Sequence, residues 1–92
     1  MKIVINKCYG GFGLSEAGLQ EYKTRKGITE DIYQGDIERN DPDLVQIVEE
    51  MGEEADGTFA RLKVVDIPDD VDWQIHEYDG VEWIAETHRT WS

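Results

Sequence analysis

The sequence has little cysteine and no long hydrophobic run. Of its 92 residues only Cys8 is a cysteine, so no intrachain disulfide can form and a reducing compartment is favoured. No apolar stretch approaches the roughly 20 residues of a membrane span. Residues 1–6 turn polar too soon for a signal peptide. We therefore expect a soluble, cytoplasmic protein that forms a single domain over residues 1–92.

Basic residues are scarce as well. Nine Lys and Arg stand against 21 Asp and Glu, which gives a formal net charge of −12. This imbalance repels nucleic acid and anionic lipid at long range, so we expect neither direct nucleic-acid binding nor a membrane partner. Three interpretations stay open: a charge that only maintains solubility, an acidic surface that docks on a basic partner, and a site for a divalent cation.

The last third of the chain has the sequence pattern of a β-hairpin. Asp79-Gly80 is a dipeptide preferred in type I′ turns, in which both central residues have positive φ. The flanking segments, within residues 73–88, are rich in aromatic and β-branched side chains. A two-residue turn places Tyr78 opposite Val81.

The pattern of the whole chain predicts an α+β fold. The predicted elements are a strand over residues 2–8, a helix over 16–26, a loop over 28–40, a helix over 41–51, a strand over 58–65 and the hairpin. Ser15 and Asp41 are suitable N-caps for the two helices, and Gly27 and Gly52 are suitable stops. We expect the two helices to pack on one face of a mostly antiparallel four-stranded sheet with a C-terminal β-hairpin.

The glycine loop after the first strand is the leading candidate for a binding site. Backbone amides at a helix N-terminus, reached through such a loop, can hold a phosphate or carboxylate. Gly11, Gly13 and Glu16 do not fit the dinucleotide fingerprint, and the P-loop lysine is absent. A tight turn with a purely structural role is therefore the alternative.

The C-terminal tail offers a cation and an aromatic ring to the same ligand. Arg89 can pair with an anionic group and Trp91 can stack on a planar ring, provided that the last strand lies beside the first. The residues predicted to bind an anionic or nucleotide-like ligand are Lys7, Tyr9, Gly10, Gly11, Gly13, Ser15, His88, Arg89 and Trp91.

An acidic second helix is the alternative binding surface. Residues 41–56 carry seven acids and no base, as in a protein inhibitor or DNA mimic that occupies a basic partner. The residues predicted to contact that partner are Asp43, Glu49, Glu50 and Glu53. Exposed sheet edges in a domain of this size could also pair two copies into a homodimer.

An enzyme is the third interpretation. A nucleophilic Cys8 would need a base, which only His76 or His88 could supply. Glu82, Glu86 and His88 could project from one face of the last strand as metal ligands, but no Cys or His pair has zinc-site spacing. We assign no catalytic residue, no metal site and no cofactor, and we expect a binding protein more than an enzyme.

Two segments of the chain resemble small proteins encoded by bacteriophages and prophages. They are INKCYGGFGLS, at residues 5–15, and IHEYDGVEWIAETHRTW, at residues 75–91. The resemblance implies a viral origin and a location in the host cytoplasm. Proteins of this kind often antagonise host defence, either by binding a nucleotide-like immune signal or by occluding an effector protein.

Overall fold

The fold contains two helices and five strands, as described for residues 1–86 and 90–92 of the computed structural model. In chain order the elements are β1 (Lys2–Asn6), α1 (Glu16–Lys26), α2 (Pro42–Met51), β2 (Leu62–Asp66), β3 (Gln74–Tyr78), β4 (Val81–Ala85) and β5 (Thr90–Trp91). Short 3-10 turns lie at Gln34–Asp36 and Gly52–Ala55. The predicted α+β class is confirmed.

The strands form two antiparallel sheets, so the single four-stranded sheet predicted from the sequence is wrong. One sheet is β1–β2, and the other has the order β3–β4–β5. The outer edge of β1 is already used. The Val4 N–H donates to the Arg39 carbonyl at 2.8 Å, and the Asn6 N–H donates to a Glu82 carboxylate oxygen at 2.7 Å. The contact between β1 and β4 thus runs from the Asn6 backbone N–H to the Glu82 side chain, and not from backbone to backbone.

α1 spans the predicted residues, and α2 begins one residue later than predicted, at Pro42, with Asp41 as its N-cap. The Ser15 Oγ accepts from the Gly18 N–H at 3.0 Å, and α1 stops at Gly27, whose φ is 70°. The Asp41 carboxylate accepts from the Asp43 N–H at 2.9 Å, which caps α2. Neither helix of the described chain combines the length and the apolar content needed to cross a bilayer.

The β1–β2 ladder lies between the helices and the second sheet. Alternate residues of a strand point to opposite faces. Val4 accordingly packs with Leu44 of α2, whereas Ile3 and Ile5 pack with Ile84 of β4. All five side chains are fully buried. β1 is therefore buried on both faces.

The β3–β4 hairpin has the register that a two-residue turn predicts. Tyr78 lies opposite Val81, and Asp79 and Gly80 have φ of 51° and 92°. β4 ends at Ala85, earlier than predicted, and β5 then pairs back along β4. The hairpin is therefore followed by a fifth strand.

The strand predicted over residues 58–65 begins later than expected. The Ala60 N–H donates to the Gly57 carbonyl at 3.0 Å, so a turn occupies the start of this segment. β2 begins only at Leu62. This turn places Phe59 beside the glycine loop.

Candidate ligand-binding site

The glycine loop meets two other turns at one end of the molecule. A Cβ added to Gly10 would overlap Phe59, and a Cβ added to Gly80 would lie 2.5 Å from the Gly11 backbone nitrogen. The loop, the turn before β2 and the hairpin tip therefore touch through their backbones. We call this region, made of residues 7–13, 57–63 and 78–80, the glycine-loop end.

Asn6 joins these three segments from inside. Its side chain is fully buried. Its Nδ2 donates to the carbonyls of Cys8 and Gly80, each at 2.7 Å. Its Oδ1 accepts from the N–H groups of Cys8 at 3.3 Å and Arg61 at 2.8 Å. One amide side chain thus fixes the relative positions of the loop, the hairpin tip and the start of β2.

An ion pair between Arg39 and Glu82 links several elements at the glycine-loop end. The two terminal guanidinium nitrogens of Arg39, Nη1 and Nη2, donate to the Glu82 carboxylate at 2.6 and 3.0 Å. The Arg39 guanidinium also lies over the Phe12 ring, 3.7 Å from its centroid. Because the Glu82 carboxylate also accepts from β1, this pair links the glycine loop, β1 and β4.

The start of α1 does not face an open anion site. The Leu14 N–H donates to the Gln34 side-chain carbonyl at 2.7 Å, and the Ser15 N–H donates to the Ala55 carbonyl at 2.8 Å. The Ser15 hydroxyl donates to the Glu54 carbonyl at 2.6 Å. The Gly52–Ala55 turn therefore covers this helix end with carbonyl oxygens, and Ser15 is occupied within the chain.

Two cations at the glycine-loop end, Lys7 and Arg61, form no ion pair with a described carboxylate. Among the described residues, the Lys and Arg side chains that do pair with carboxylates are Lys2, Lys23, Arg25, Lys26 and Arg39. Lys7 donates only to the Glu82 backbone carbonyl, at 3.3 Å. Lys63 donates to the Ser92 backbone carbonyl at 2.8 Å, and Arg61 has no ion pair with any described residue.

These three cations share one face of the β1–β2 ladder. Lys63 lies opposite Ile5, and the Lys7 N–H donates to the Arg61 carbonyl at 2.7 Å, which extends the ladder by one pair. Since alternate residues point the same way, all four residues lie on the face toward the second sheet. Positive charge is concentrated there in a chain that is otherwise acidic.

Exposed aromatic side chains lie at the same end. Tyr9, Phe59 and Tyr78 have exposed fractions of 75%, 72% and 70%. Tyr33 is equally exposed, but it lies on the segment between the helices.

The tail residues contribute less than predicted. His88 and Arg89 lie outside the described residues. Trp91 lies opposite Ile84 and packs in the core between the two sheets. Gly80 is four residues from Ile84, about 13 Å along the strand at roughly 3.3 Å per residue. Trp91 therefore belongs to the core and not to the glycine loop.

The acidic side chains of α2 are largely neutralised within the chain. Three of the four predicted partner-binding residues form ion pairs, which are Asp43 with Lys26 at 3.0 Å, Glu49 with Lys2 at 2.9 Å and Glu50 with Arg25 at 2.8 Å. Glu53 alone of the four has no ion pair with a described residue. The helix surface is accordingly less negative than its sequence implies.

Cys8 and His76 do not form a catalytic pair. Cys8 is half-buried at the start of the glycine loop. The His76 ring faces Trp83, with centroids 5.9 Å apart, and no hydrogen bond between the two candidates occurs in the described chain. Within the same residues, no three His, Cys, Asp or Glu side chains come together as a metal site would require.

Comparisons with protein-family models, with curated proteins and with solved structures give no match to this chain. The resemblance to phage-encoded proteins therefore stays a prediction. Only the geometry of the glycine-loop end therefore supports a ligand-binding site.

The sequence located part of this site and missed the rest. Lys7, Tyr9, Gly10 and Gly11 were predicted and do lie together at the glycine-loop end. Phe59, Arg61, Lys63 and Tyr78 were missed because strand pairing and the turn before β2, not sequence proximity, bring them there. An available signal was the alternation that puts Arg61 and Lys63 on the same side of the predicted strand.

Proposed function

We propose that this protein is a non-catalytic binding protein that holds a small anionic, nucleotide-like ligand at the glycine-loop end. One observation carries the proposal: Lys7 and Arg61, which form no ion pair within the described part of the chain, lie with Lys63 at the end of the molecule where aromatic rings are exposed. Aromatic side chains stack on nucleobases, and Lys and Arg neutralise phosphate groups. The two kinds of side chain together match both parts of a nucleotide.

The overall charge favours a small ligand over a long nucleic acid. A polyanion would meet the net charge of −12 along its whole length. A small anion meets mainly the nearby cations, because charges are screened beyond about 8 Å at physiological ionic strength. A mononucleotide or a dinucleotide fits this condition better than a strand of DNA or RNA.

The biological role follows from the phage resemblance. A phage protein that binds a nucleotide signal without converting it would lower the free concentration of that signal in the host cytoplasm. Sequestration of this kind needs affinity and no catalytic group. We therefore include antagonism of a nucleotide-based host defence in the proposal.

Isothermal titration calorimetry against a nucleotide panel tests the proposal. The panel should contain AMP, ADP, ATP, cyclic AMP and cyclic dinucleotides. We expect at least one member to bind, and we expect Arg61→Gln with Lys63→Gln to weaken its binding about tenfold or more, since charge-assisted hydrogen bonds contribute about 1.5–3 kcal/mol each. Absence of heat with every member would contradict the proposal.

Two matched controls separate the site from general effects. Lys2→Gln also removes a positive charge, but from a residue paired with Glu49, and should leave binding nearly unchanged. Tyr9→Ser and Phe59→Ser should each weaken binding, whereas Tyr33→Ser, at an equally exposed ring, should not. Equal losses in site and control variants would also contradict the proposal.

A further inference from the structure

We propose that the free edge of β3 and the outward face of the β3–β4 hairpin bind an extended, basic segment of a partner protein. This surface meets the glycine-loop ligand site at Tyr78, and the inference does not depend on the proposed function. It concerns the same class of partner that the sequence suggested for α2, on a different part of the molecule.

β3 has an open edge. In the described part of the chain β3 pairs only with β4. Residues next to a two-residue turn form a hydrogen-bonded pair, and such pairs alternate along the hairpin. The backbone groups of Ile75 and Glu77 therefore point away from β4. Natural edge strands are usually blocked by Lys, Pro or a bulge, and Gln74–Tyr78 contains neither Lys nor Pro.

The outward face of the hairpin is aromatic and accessible. Gln74, His76 and Tyr78 are exposed on β3, and Trp83 of β4 is half-buried beside the His76 ring. Antiparallel sheets that face water normally carry polar residues on that side. This face instead offers rings against which the side chains of an added strand can pack.

A depression lies at the base of the same face. Its volume is about 330 Å³, and it is lined by Asp72, Trp73, Gln74, His76, Ala85 and Glu86. Volumes near this size accommodate small ligands in other proteins. A long cationic side chain from an added strand would find the Trp73 ring and the Asp72 carboxylate there.

The charge around the β3–β4 hairpin favours a basic partner segment. Between Lys63 and Arg89 the chain has no Lys or Arg. Glu82 pairs with Arg39, and Asp66 and Asp69 pair with the N-terminal ammonium. The acids of this region that form no ion pair with a described residue include Asp70, Asp72, Glu77 and Asp79. A second copy of the protein would bring the same negative charges against this edge, so the charge opposes the homodimer predicted from the sequence. Electrostatic complementarity favours a Lys- or Arg-rich strand.

Three model peptides of equal length provide the probes. The first alternates Arg with Val, the second alternates Arg with Gly and the third alternates Glu with Val. Only the first combines positive charge with strand propensity. We expect it alone to bind tightly, to slow hydrogen exchange of the Ile75 and Glu77 amides, and to bind more weakly as salt increases.

Charge-matched variants locate the binding. Gln74→Lys with His76→Lys places two cations on the exposed face of β3, and we expect about tenfold weaker binding of the Arg–Val peptide. Ala17→Lys with Gln20→Lys adds the same charge on the exposed side of α1 and should have little effect. Equal weakening by both pairs, no amide protection at β3, or salt-induced dimerisation that protects the same amides would each overturn the inference.

Discussion

At the scale of single residues, Gly80 and Gly27 illustrate two different reasons why a position requires glycine. Both have positive φ, of 92° and 70°. A Cβ at Gly80 would also lie 2.7 Å from the Tyr9 carbonyl oxygen, whereas nothing lies within 4 Å of a Cβ at Gly27. Gly27 is needed only for its backbone conformation, and Gly80 also for the close approach of the glycine loop.

Alanine substitution should therefore destabilise the protein unequally. A left-handed conformation costs a non-glycine residue about 1–2 kcal/mol, which applies to both Gly27→Ala and Gly80→Ala. Crowding adds about 1–3 kcal/mol for Gly80→Ala alone. Urea unfolding measures both losses, and equal losses would show that the hairpin tip does not pack on the loop.

At the scale of elements, the Arg39–Glu82 pair replaces the backbone bonds that would have joined the two sheets. We expect Glu82→Gln to lower the free energy of unfolding by about 3 kcal/mol, because breaking a buried pair leaves Arg39 without its counter-charge. Glu50→Gln breaks an exposed pair with Arg25 and should cost less than about 1 kcal/mol.

A double-mutant cycle with Arg39→Gln checks the origin of this loss. If the two side chains act as a pair, the double variant should lose clearly less stability than the sum of the single variants. Additive losses would mean that each residue stabilises the fold by separate contacts.

The contacts between α1 and α2 predict that the free energy of unfolding depends on pH. Burial alone would raise the pKa of Asp41, but hydrogen bonds from Lys26, the Asp43 N–H and the Tyr22 hydroxyl outweigh burial and lower this pKa below its ordinary value. The ionised form is therefore stabilised by folding. Its contribution is fully present above the ordinary pKa of about 3.9 for an Asp side chain and is lost as the pH falls through the lowered value.

The variant Asp41→Asn isolates this effect. Asn also caps helices well, so the variant should fold. The difference in unfolding free energy between the natural protein and Asp41→Asn should be largest above about pH 5 and should shrink toward pH 2, as expected for a lowered Asp pKa. A difference that stays constant over this range would contradict the pKa shift.

Elements set by neighbouring residues could be predicted from the sequence, and contacts between distant residues could not. The caps at Ser15 and Asp41 and the turn at Asp79-Gly80 depend on a few adjacent residues. The bond between Asn6 and Glu82 joins groups 76 residues apart, and no local pattern indicates it. The wrong single sheet and the missed half of the ligand site have this same cause.

At the scale of the whole molecule, charge is distributed unevenly in a way that composition hides. The helices pair many of their carboxylates with Lys and Arg. In the hairpin region Glu82 pairs with Arg39, whereas Asp72, Glu77 and Asp79 form no ion pair with a described residue. At the glycine-loop end Lys7 and Arg61 form no ion pair with a described residue either. This distribution leads to two different binding surfaces on one small domain. An anionic ligand suits the first, and a basic segment suits the second.

Nuclear magnetic resonance titration of the ¹⁵N-labelled protein with the tightest-binding nucleotide of the panel tests the central claim most directly. The account predicts that the amide shifts concentrate in residues 7–13, 57–63 and 78–80, and that they weaken in the Arg61→Gln, Lys63→Gln double variant. Shifts that concentrate instead on α2 or on the outward face of β3, or no shifts at saturating nucleotide, would contradict it.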